Sequence, residues 1–169
     1  MLDAPRPIGA QHDLSAFDCG APPLDDWLRR RALANELGGI SRTYVITASE
    51  NPTVVVGYVS LAAATILDKE ATGAVRRNTP PTIPAILIGR LAVDRRWQGR
   101  DVGRSLLQFA VATAIDAGVR VGVRAILVHA KDEAAAAWYR RHGFQPSAVS
   151  PTTLMITTSA AAKAFAAPQ

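Results

Sequence analysis

The sequence predicts a mixed α/β fold in a single domain, with a central sheet flanked by helices. Three observations point there. The length, 169 residues, matches one domain and can bury a core without covalent staples. Runs rich in β-branched residues alternate with runs of helical apolar periodicity. No internal repeat or long linker divides them, so one continuous core is expected.

Residues 1–20 begin irregularly, with Pro5 and Pro7 confining the backbone to extended or turn shapes. Pro22 and Pro23 suit a first helical turn, and Asp25 and Asp26 complement its positive end. Leu24, Trp27, Leu28 and Leu33 approximate a helical stripe that Gly38-Gly39 ends, which leaves Arg29, Arg30 and Arg31 on a partly solvent-facing side. Residues 41–48 and 53–66 read as strands joined by the turn residues Glu50-Asn51-Pro52. Residues 67–78 read as a short helix ending in Arg76-Arg77, and 79–84 as an irregular link. Residues 85–93 read as a buried strand interrupted at Gly89-Arg90, and 95–103 as a loop.

Leu106, Leu107, Ala110, Val111, Ala114 and Ile115 share one helical face, with Gly118 as its stop. Residues 124–129 read as another buried strand. Residues 132–142 form the best-defined helix. Asp132 is its N-cap, Arg140, Arg141 and His142 fill its last turn, and Gly143 is a left-handed cap followed by Phe144. Residues 151–158 give a last strand. The domain is expected to span 1–159, with an Ala-rich tail over 160–169 that frays.

Composition excludes several classes. Hydrophobic residues are 49% and charged residues 20%, too apolar for a disordered chain. Cys19 is the only cysteine, so no disulfide framework is available. His12, His129 and His142 show no ligand spacing, and no metal is expected. No apolar run approaches the roughly 20 residues of a membrane helix, and the N-terminus lacks a basic-then-apolar leader layout. The expectation is a soluble cytoplasmic protein.

The formal charge is +5, and 16 of the 19 cations are Arg; only Lys69, Lys131 and Lys163 are Lys. Arginine holds phosphate with a planar fork, whereas lysine acts as a point charge. A G+C-rich coding sequence gives the same bias, so placement has to decide. Residues 91–107 are the informative block: a buried strand runs into a Gly- and Arg-rich loop that opens an apolar helix. That order aims free backbone N–H groups and a positive helix end at one point, a seat for a phosphate or pyrophosphate. Gly99 and Gly103 permit close approach, and Arg95, Arg96, Arg100 and Arg104 add charge. Neither a nucleoside-triphosphate loop nor a full dinucleotide fingerprint is present. The alternative is an ordinary turn with solvated arginines.

Gln98-Gly99-Arg100-Asp101-Val102-Gly103 resembles the Q/R-x-x-G-x-G/A acetyl-CoA loop of the GNAT N-acetyltransferases. Ala137-Trp138-Tyr139-Arg140-Arg141-His142-Gly143-Phe144 resembles their Y-x-x-x-G-F block. Over nearly the whole chain the sequence is similar to one branch, the toxins of type II toxin–antitoxin systems that acetylate the amino acid on charged tRNA. The residues behind this include Phe17-Asp18-Cys19-Gly20, Leu24-Asp25-Asp26-Trp27-Leu28, Ser41-Arg42-Thr43-Tyr44-Val45, Gly89-Arg90-Leu91-Ala92-Val93-Asp94, His129-Ala130 and Thr153-Leu154-Met155.

The resemblance implies a GNAT-like mixed central sheet, splayed near the cofactor, and acetyl transfer from acetyl-CoA. It implies that the pantetheine arm lies along Leu91, Ala92 and Val93. The pyrophosphate would sit on Gln98, Gly99, Arg100, Asp101, Val102, Gly103, Arg104 and Ser105. Asp132, Ala135 and Ala136 would start the facing helix and leave room for the thioester. Tyr139 would protonate the departing thiolate as general acid, a role open to a phenol of pKa about 10. Read without the family, Tyr139 packs beside Trp138. Tyr44 and Tyr58 read as packing residues, and His129 as a structural hydrogen-bonder rather than a base.

Asp101 departs from the motif, standing where its first Gly usually stands. Asp tolerates a left-handed backbone, so the loop shape can survive. Its carboxylate either faces the pyrophosphate and weakens binding, or turns to solvent or a nearby Arg; the second is the expectation. No carboxylate stands out as a base for the nucleophile. An α-amine titrates at about 7.7–8.0 and a lysine at about 10.4, so an α-amine suits a weak base better.

The resemblance therefore implies an aminoacyl-tRNA acceptor and blocked translation. Arg29, Arg30, Arg77 and Arg90 are the candidate tRNA contacts, joined by Arg31 and Arg76. The alternative for them is scattered solvated charge. The implied partner is a small antitoxin of the ribbon-helix-helix class; pairing of the chain with itself stays open. Two rival readings remain: acetylation of a small amine or a protein N-terminus, and a catalytically silent acetyl-CoA-fold binding protein, which Asp101 keeps alive.

Overall fold

The computed structural model describes residues 1–166. It contains a seven-stranded sheet in the order β1-β2-β3-β4-β5-β7-β6. The strands are β1 (Arg6–Pro7), β2 (Arg42–Ala48), β3 (Asn51–Leu67), β4 (Thr82–Val93), β5 (Ala125–His129), β6 (Gln145–Pro146) and β7 (Thr153–Thr157). β4 pairs with β5 in parallel, whereas β2–β3 and β5–β7 are antiparallel, so the sheet is mixed as expected. The helices are α1 (Pro22–Trp27), α2 (Leu33–Leu37), α3 (Gly73–Arg76), α4 (Val102–Arg120), α5 (Glu133–Arg141) and α6 (Thr158–Ala166). The chain clusters into two compact units, one of residues 1–62 and 89–110, the other of residues 63–88 and 111 onward.

In the first unit, α1 and α2 are joined without a break by a π-helical turn, Leu28–Ala32. Leu28 and Ala32 are fully buried among Phe17, Val45, Val55, Tyr58 and Ala92. Burying a Leu of this kind contributes about 1.5–3 kcal/mol. The wide turn places Ala32 in the core and leaves Leu33 half-buried, so the stripe drifts from the expected one. Gly38 and Gly39 end the helix, with Gly39 left-handed at φ 72° and the Ile40 N–H reaching back to the Asn35 carbonyl at 2.9 Å.

In the second unit, Ile66, Val75, Ile83, Ala85, Ala125, Leu127 and Met155 form a buried cluster. Ile83 explains one correction. Residues 79–84 are not all irregular, because β4 already starts at Thr82. Ile83 is buried inside that cluster, and the gain outweighs the Pro-rich signal around it. The strand also runs unbroken through Gly89-Arg90. The expected helix over 67–78 shrinks to the single turn Gly73–Arg76, started by the Thr72 side chain, which accepts from the Val75 N–H at 3.3 Å.

Gly118 does not stop α4, which continues to Arg120. A terminating glycine works through a left-handed backbone, and Gly118 does not adopt one. At the end of α5 the expectation holds: Gly143 is left-handed at φ 96°, and the Phe144 N–H bonds the Tyr139 carbonyl at 3.2 Å. The last strand is shorter than expected, because Thr158 opens α6. The part of the Ala-rich tail expected to fray is helical over 160–166, with Ala161 buried; residues 167–169 lie outside the described residues.

Candidate active site

In the first unit, β4 delivers Leu91, Ala92 and Val93 to the start of the Arg-rich loop, Ala92 buried and its two neighbours half-buried. Asp94 follows. Its carboxylate is almost wholly buried and accepts from the Arg96 N–H (3.0 Å), Arg96 Nε (2.8 Å), Arg96 Nη2 (2.9 Å) and the Asp18 N–H (3.2 Å). Burial pushes this carboxyl up, but those donors outweigh it and hold it below the usual carboxylate range. Asp94 also starts a 3-10 turn, Arg95–Trp97. Gln98 comes next, its amide nitrogen donating to the Val93 carbonyl at 2.9 Å.

Two left-handed residues then shape the loop, Gly99 at φ 74° and Asp101 at φ 60°. A side chain at Gly99 would meet open space, so the glycine is there for its backbone alone. Asp101 takes the left-handed conformation that its place in the motif requires. Its side chain is exposed and in no ion pair among the described residues, so of its two expected resting places only solvent is observed. The Ser105 N–H bonds the Asp101 carbonyl at 3.0 Å, so α4 starts at Val102 and the N–H groups of Val102, Gly103 and Arg104 have no intrahelical partner. Such donors, with the positive helix end, favour an anion. The chemistry of these groups fits a pyrophosphate.

The four loop arginines divide. Arg96 is consumed by Asp94, and Arg95 pairs with Asp18 at 3.3 Å. Arg100 lies over the Trp97 ring at 5.2 Å, and it and Arg104 have no carboxylate partner among the described residues. Only those two keep their charge for a ligand. Gly57, a residue that sequence reasoning missed, lets α4 seat on β3. A Cβ there would lie 3.0 Å from Leu106 Cδ1 and 3.1 Å from Val102 Cγ1. An isolated glycine inside a strand pattern was the available signal.

In the second unit, Asp132 caps α5, accepting from the Ala135 N–H at 2.8 Å. Ala135 is half-buried and Ala136 buried. Tyr139, one turn on, is 8% exposed, its ring 5.0 Å from that of Trp138 and 5.6 Å from that of Phe144. The three tyrosines are now distinguishable. Tyr58 donates its hydroxyl to the Leu24 carbonyl at 2.8 Å. Tyr44 packs edge-on against Phe109, with centroids 4.7 Å apart. Tyr139 has no hydrogen-bond partner for its hydroxyl among the described residues. Burial raises its pKa, so the phenol stays protonated through the neutral range and is available as a donor. His129 is exposed and bonds Thr153 Oγ1 through Nδ1 at 3.2 Å, the structural role expected of it.

The candidate tRNA contacts also separate. Arg29 donates to the Phe17 carbonyl at 2.9 Å and to Asp26 at 3.4 Å. Arg30 and Arg31 are exposed and in no ion pair among the described residues. Arg90 lies over the Trp27 ring at 4.3 Å. These all belong to the first unit. In the second, Arg76 and Arg77 are exposed at the end of α3. The Arg124 guanidinium binds the carbonyls of Ala74 (2.9 Å), Val75 (3.1 Å) and Arg77 (3.2 Å) and closes that turn.

Residues 41–146 match the family described as acetyltransferase (GNAT) domain. The chain is 44% identical over 153 residues to the tRNA-acetylating toxin of Mycobacterium tuberculosis (strain ATCC 25618 / H37Rv), covering 90% of each protein. Among solved structures it is similar to AtaT complexed with acetyl-methionyl-tRNAfMet, with TM-score 0.88, 26% identity and coverage of 98% and 99%. It is also similar to a mutant AtaT toxin bound to the C-terminus of the antitoxin AtaR and acetyl-CoA, with TM-score 0.82, 26% identity and 99% of each chain covered. That match, which spans both the Gln98–Gly103 loop and the block around Tyr139, and the 44% identity show that the chain belongs to the GNAT acetyltransferase family.

Proposed function

We propose that this chain transfers the acetyl group of acetyl-CoA to the α-amine of an aminoacyl-tRNA and thereby blocks translation. The observation that carries the reading is the likeness, over most of both chains, to the tRNA-acetylating toxin. Leu91, Ala92 and Val93 hold the pantetheine arm. The pyrophosphate rests on residues 98–105, where the N–H groups of Val102, Gly103 and Arg104 and the charges of Arg100 and Arg104 meet it. Acetyl-CoA supplies the activated carbonyl and the sulfur leaving group.

Tyr139 is the catalytic residue. The amine forms a C–N bond as the C–S bond breaks; the phenol proton goes to sulfur, the amine proton goes to water, and the phenolate regains a proton from water. Burial of Tyr139 keeps that proton in place at the working pH. An acceptor α-amine with pKa about 7.7–8.0 has an appreciable neutral fraction without a strong base. Arg30, Arg77 and Arg90 meet the phosphate backbone, and the location of charged tRNA makes the protein cytoplasmic. A small antitoxin of the ribbon-helix-helix class neutralises it.

The test is thiol release from acetyl-CoA with charged and with uncharged tRNA. Release that needs the aminoacyl group supports the reading. Turnover of small amines alone overturns the acceptor, and no turnover of any amine overturns the enzyme.

A further inference from the structure

Residues 17–20 form neither helix nor strand, yet their backbone is tied at almost every polar group. The Phe17 N–H bonds the Leu14 carbonyl at 3.3 Å, and the Phe17 carbonyl accepts from Arg29 Nη1 at 2.9 Å. The Asp18 N–H donates to Asp94 at 3.2 Å, and its carbonyl accepts from the Arg95 N–H at 2.8 Å. The Cys19 N–H donates to Asp25 at 2.9 Å, and its carbonyl accepts from the Gln98 amide at 3.0 Å. The Gly20 N–H closes on the Asp18 carboxylate at 2.9 Å.

A surface segment normally leaves such groups to water. Here the non-local backbone partners include two places, the first helical stretch (Asp25, Arg29) and the loop residues Asp94, Arg95 and Gln98. Phe17 is buried edge-on against Tyr58 between these anchors, with centroids 5.6 Å apart. Gly20 is left-handed at φ 89°, and a Cβ there would lie 3.1 Å from Arg95 Nε.

We infer that Arg29 and Asp94 are paired positioning residues: they clamp the peptide unit between Phe17 and Asp18 from opposite sides, one at its carbonyl and the other at its N–H, and through Gln98 on the Cys19 carbonyl the clamp fixes the loop that receives the pyrophosphate. Arg29 then serves cofactor binding, not RNA. Its guanidinium is already engaged by a backbone carbonyl and Asp26, whereas Arg30 next to it is in no ion pair among the described residues. The loop needs such support because Asp101 holds a left-handed backbone that costs a residue with a Cβ. The inference rests on the proposed acetyl-CoA site.

The experiment uses the full chain and two readouts: calorimetric affinity for acetyl-CoA, and the dependence of charged-tRNA affinity on salt. Arg29→Gln and Asp94→Asn are expected to weaken acetyl-CoA about tenfold, and Arg29→Lys, which keeps a donor for the Phe17 carbonyl, to recover part of that. Arg29→Gln should leave the log–log salt slope unchanged, whereas Arg30→Gln lowers it by about one phosphate's share, roughly 0.7–0.9. Gln98→Ala removes an exposed amide; it weakens acetyl-CoA in the same way and stands in if a clamp variant fails to fold. Wild-type acetyl-CoA affinity in Arg29→Gln, with a reduced salt slope, would make Arg29 an RNA contact and overturn the inference. A wild-type protein that does not bind acetyl-CoA would instead bring down the proposed function on which it rests.

Discussion

The guanidinium of Arg90 lies 4.3 Å from the centre of the Trp27 ring. Such a contact is worth about 0.5–1 kcal/mol where exposed and about 2 where desolvated. It fixes the direction of the arginine without neutralising it, since the ring carries no formal charge. Arg90→Gln should therefore reduce the salt slope of charged-tRNA affinity by about 0.7–0.9, one phosphate contact's worth. Arg90→Lys should keep the slope while weakening binding, because it loses the planar stack. An unchanged slope in Arg90→Gln would remove Arg90 from the RNA-binding set.

Tyr139→Phe deletes one oxygen from a ring that stays packed against Phe144. Acetyl-CoA affinity should stay within about twofold, while turnover falls about 10²–10⁴-fold, the usual yield of a general acid. Because burial raises the phenol pKa, the rate should climb as the acceptor amine loses its proton near pH 7.7–8.0 and show no descending limb from Tyr139 up to pH about 9. A rate that falls between pH 8 and 9 while the substrate stays intact would contradict this.

Asp94 makes a stability prediction with a definite sign. Its folded pKa lies below the ordinary carboxyl value, so its stabilisation is present above pH about 4 and is lost as pH falls through the folded value. Asp94→Asn removes a charged acceptor from Arg96 and the Asp18 N–H and should cost about 1–3 kcal/mol at pH 7. For a chain of this size each kcal/mol is about 2–4 °C in Tm. Thermal melts at descending pH should show the gap between wild type and variant closing below pH 4. A constant gap would mean that the carboxylate's charge is immaterial.

Much of this was legible in residue order. Asp132, Gly143 and Phe144 give local, strongly typed signals, and α5 formed almost as read. Asp101 stands where the motif usually has glycine and tolerates a left-handed backbone, and its φ is 60°. What escaped was non-local. Nothing in Leu28–Ala32 announces a π turn, because it answers to the packing of Leu28 and Ala32 rather than to propensity. Pro84 disguised the start of β4, since local Pro chemistry competes with the burial of Ile83 and loses. Asp94 reads as an ordinary loop acid until its donors from Arg96 and Asp18 are seen. Four loop arginines read alike, yet two are spent on carboxylates, Arg95 on Asp18, far off in the chain, and Arg96 on Asp94, next but one to it.

The loop backbone can be tested at its two left-handed residues. Gly99→Ala meets no neighbour, so its cost, about 1–2 kcal/mol, comes from the backbone alone. Asp101→Gly relieves the same strain and should raise Tm by a few degrees. Since the Asp101 side chain is exposed, acetyl-CoA affinity should rise by less than about tenfold, or 1.4 kcal/mol. A far larger gain would show the carboxylate facing the pyrophosphate and opposing it.

The most direct measurement is the mass of the aminoacyl end after charged tRNA is incubated with acetyl-CoA and the wild-type chain, with Tyr139→Phe in parallel. Acetyl on the α-nitrogen in the wild-type reaction, and almost none with the variant, is the predicted result. An unmodified amino acid in both reactions, or equal acetylation in both, would contradict the assignment of Tyr139 to acetyl transfer onto charged tRNA.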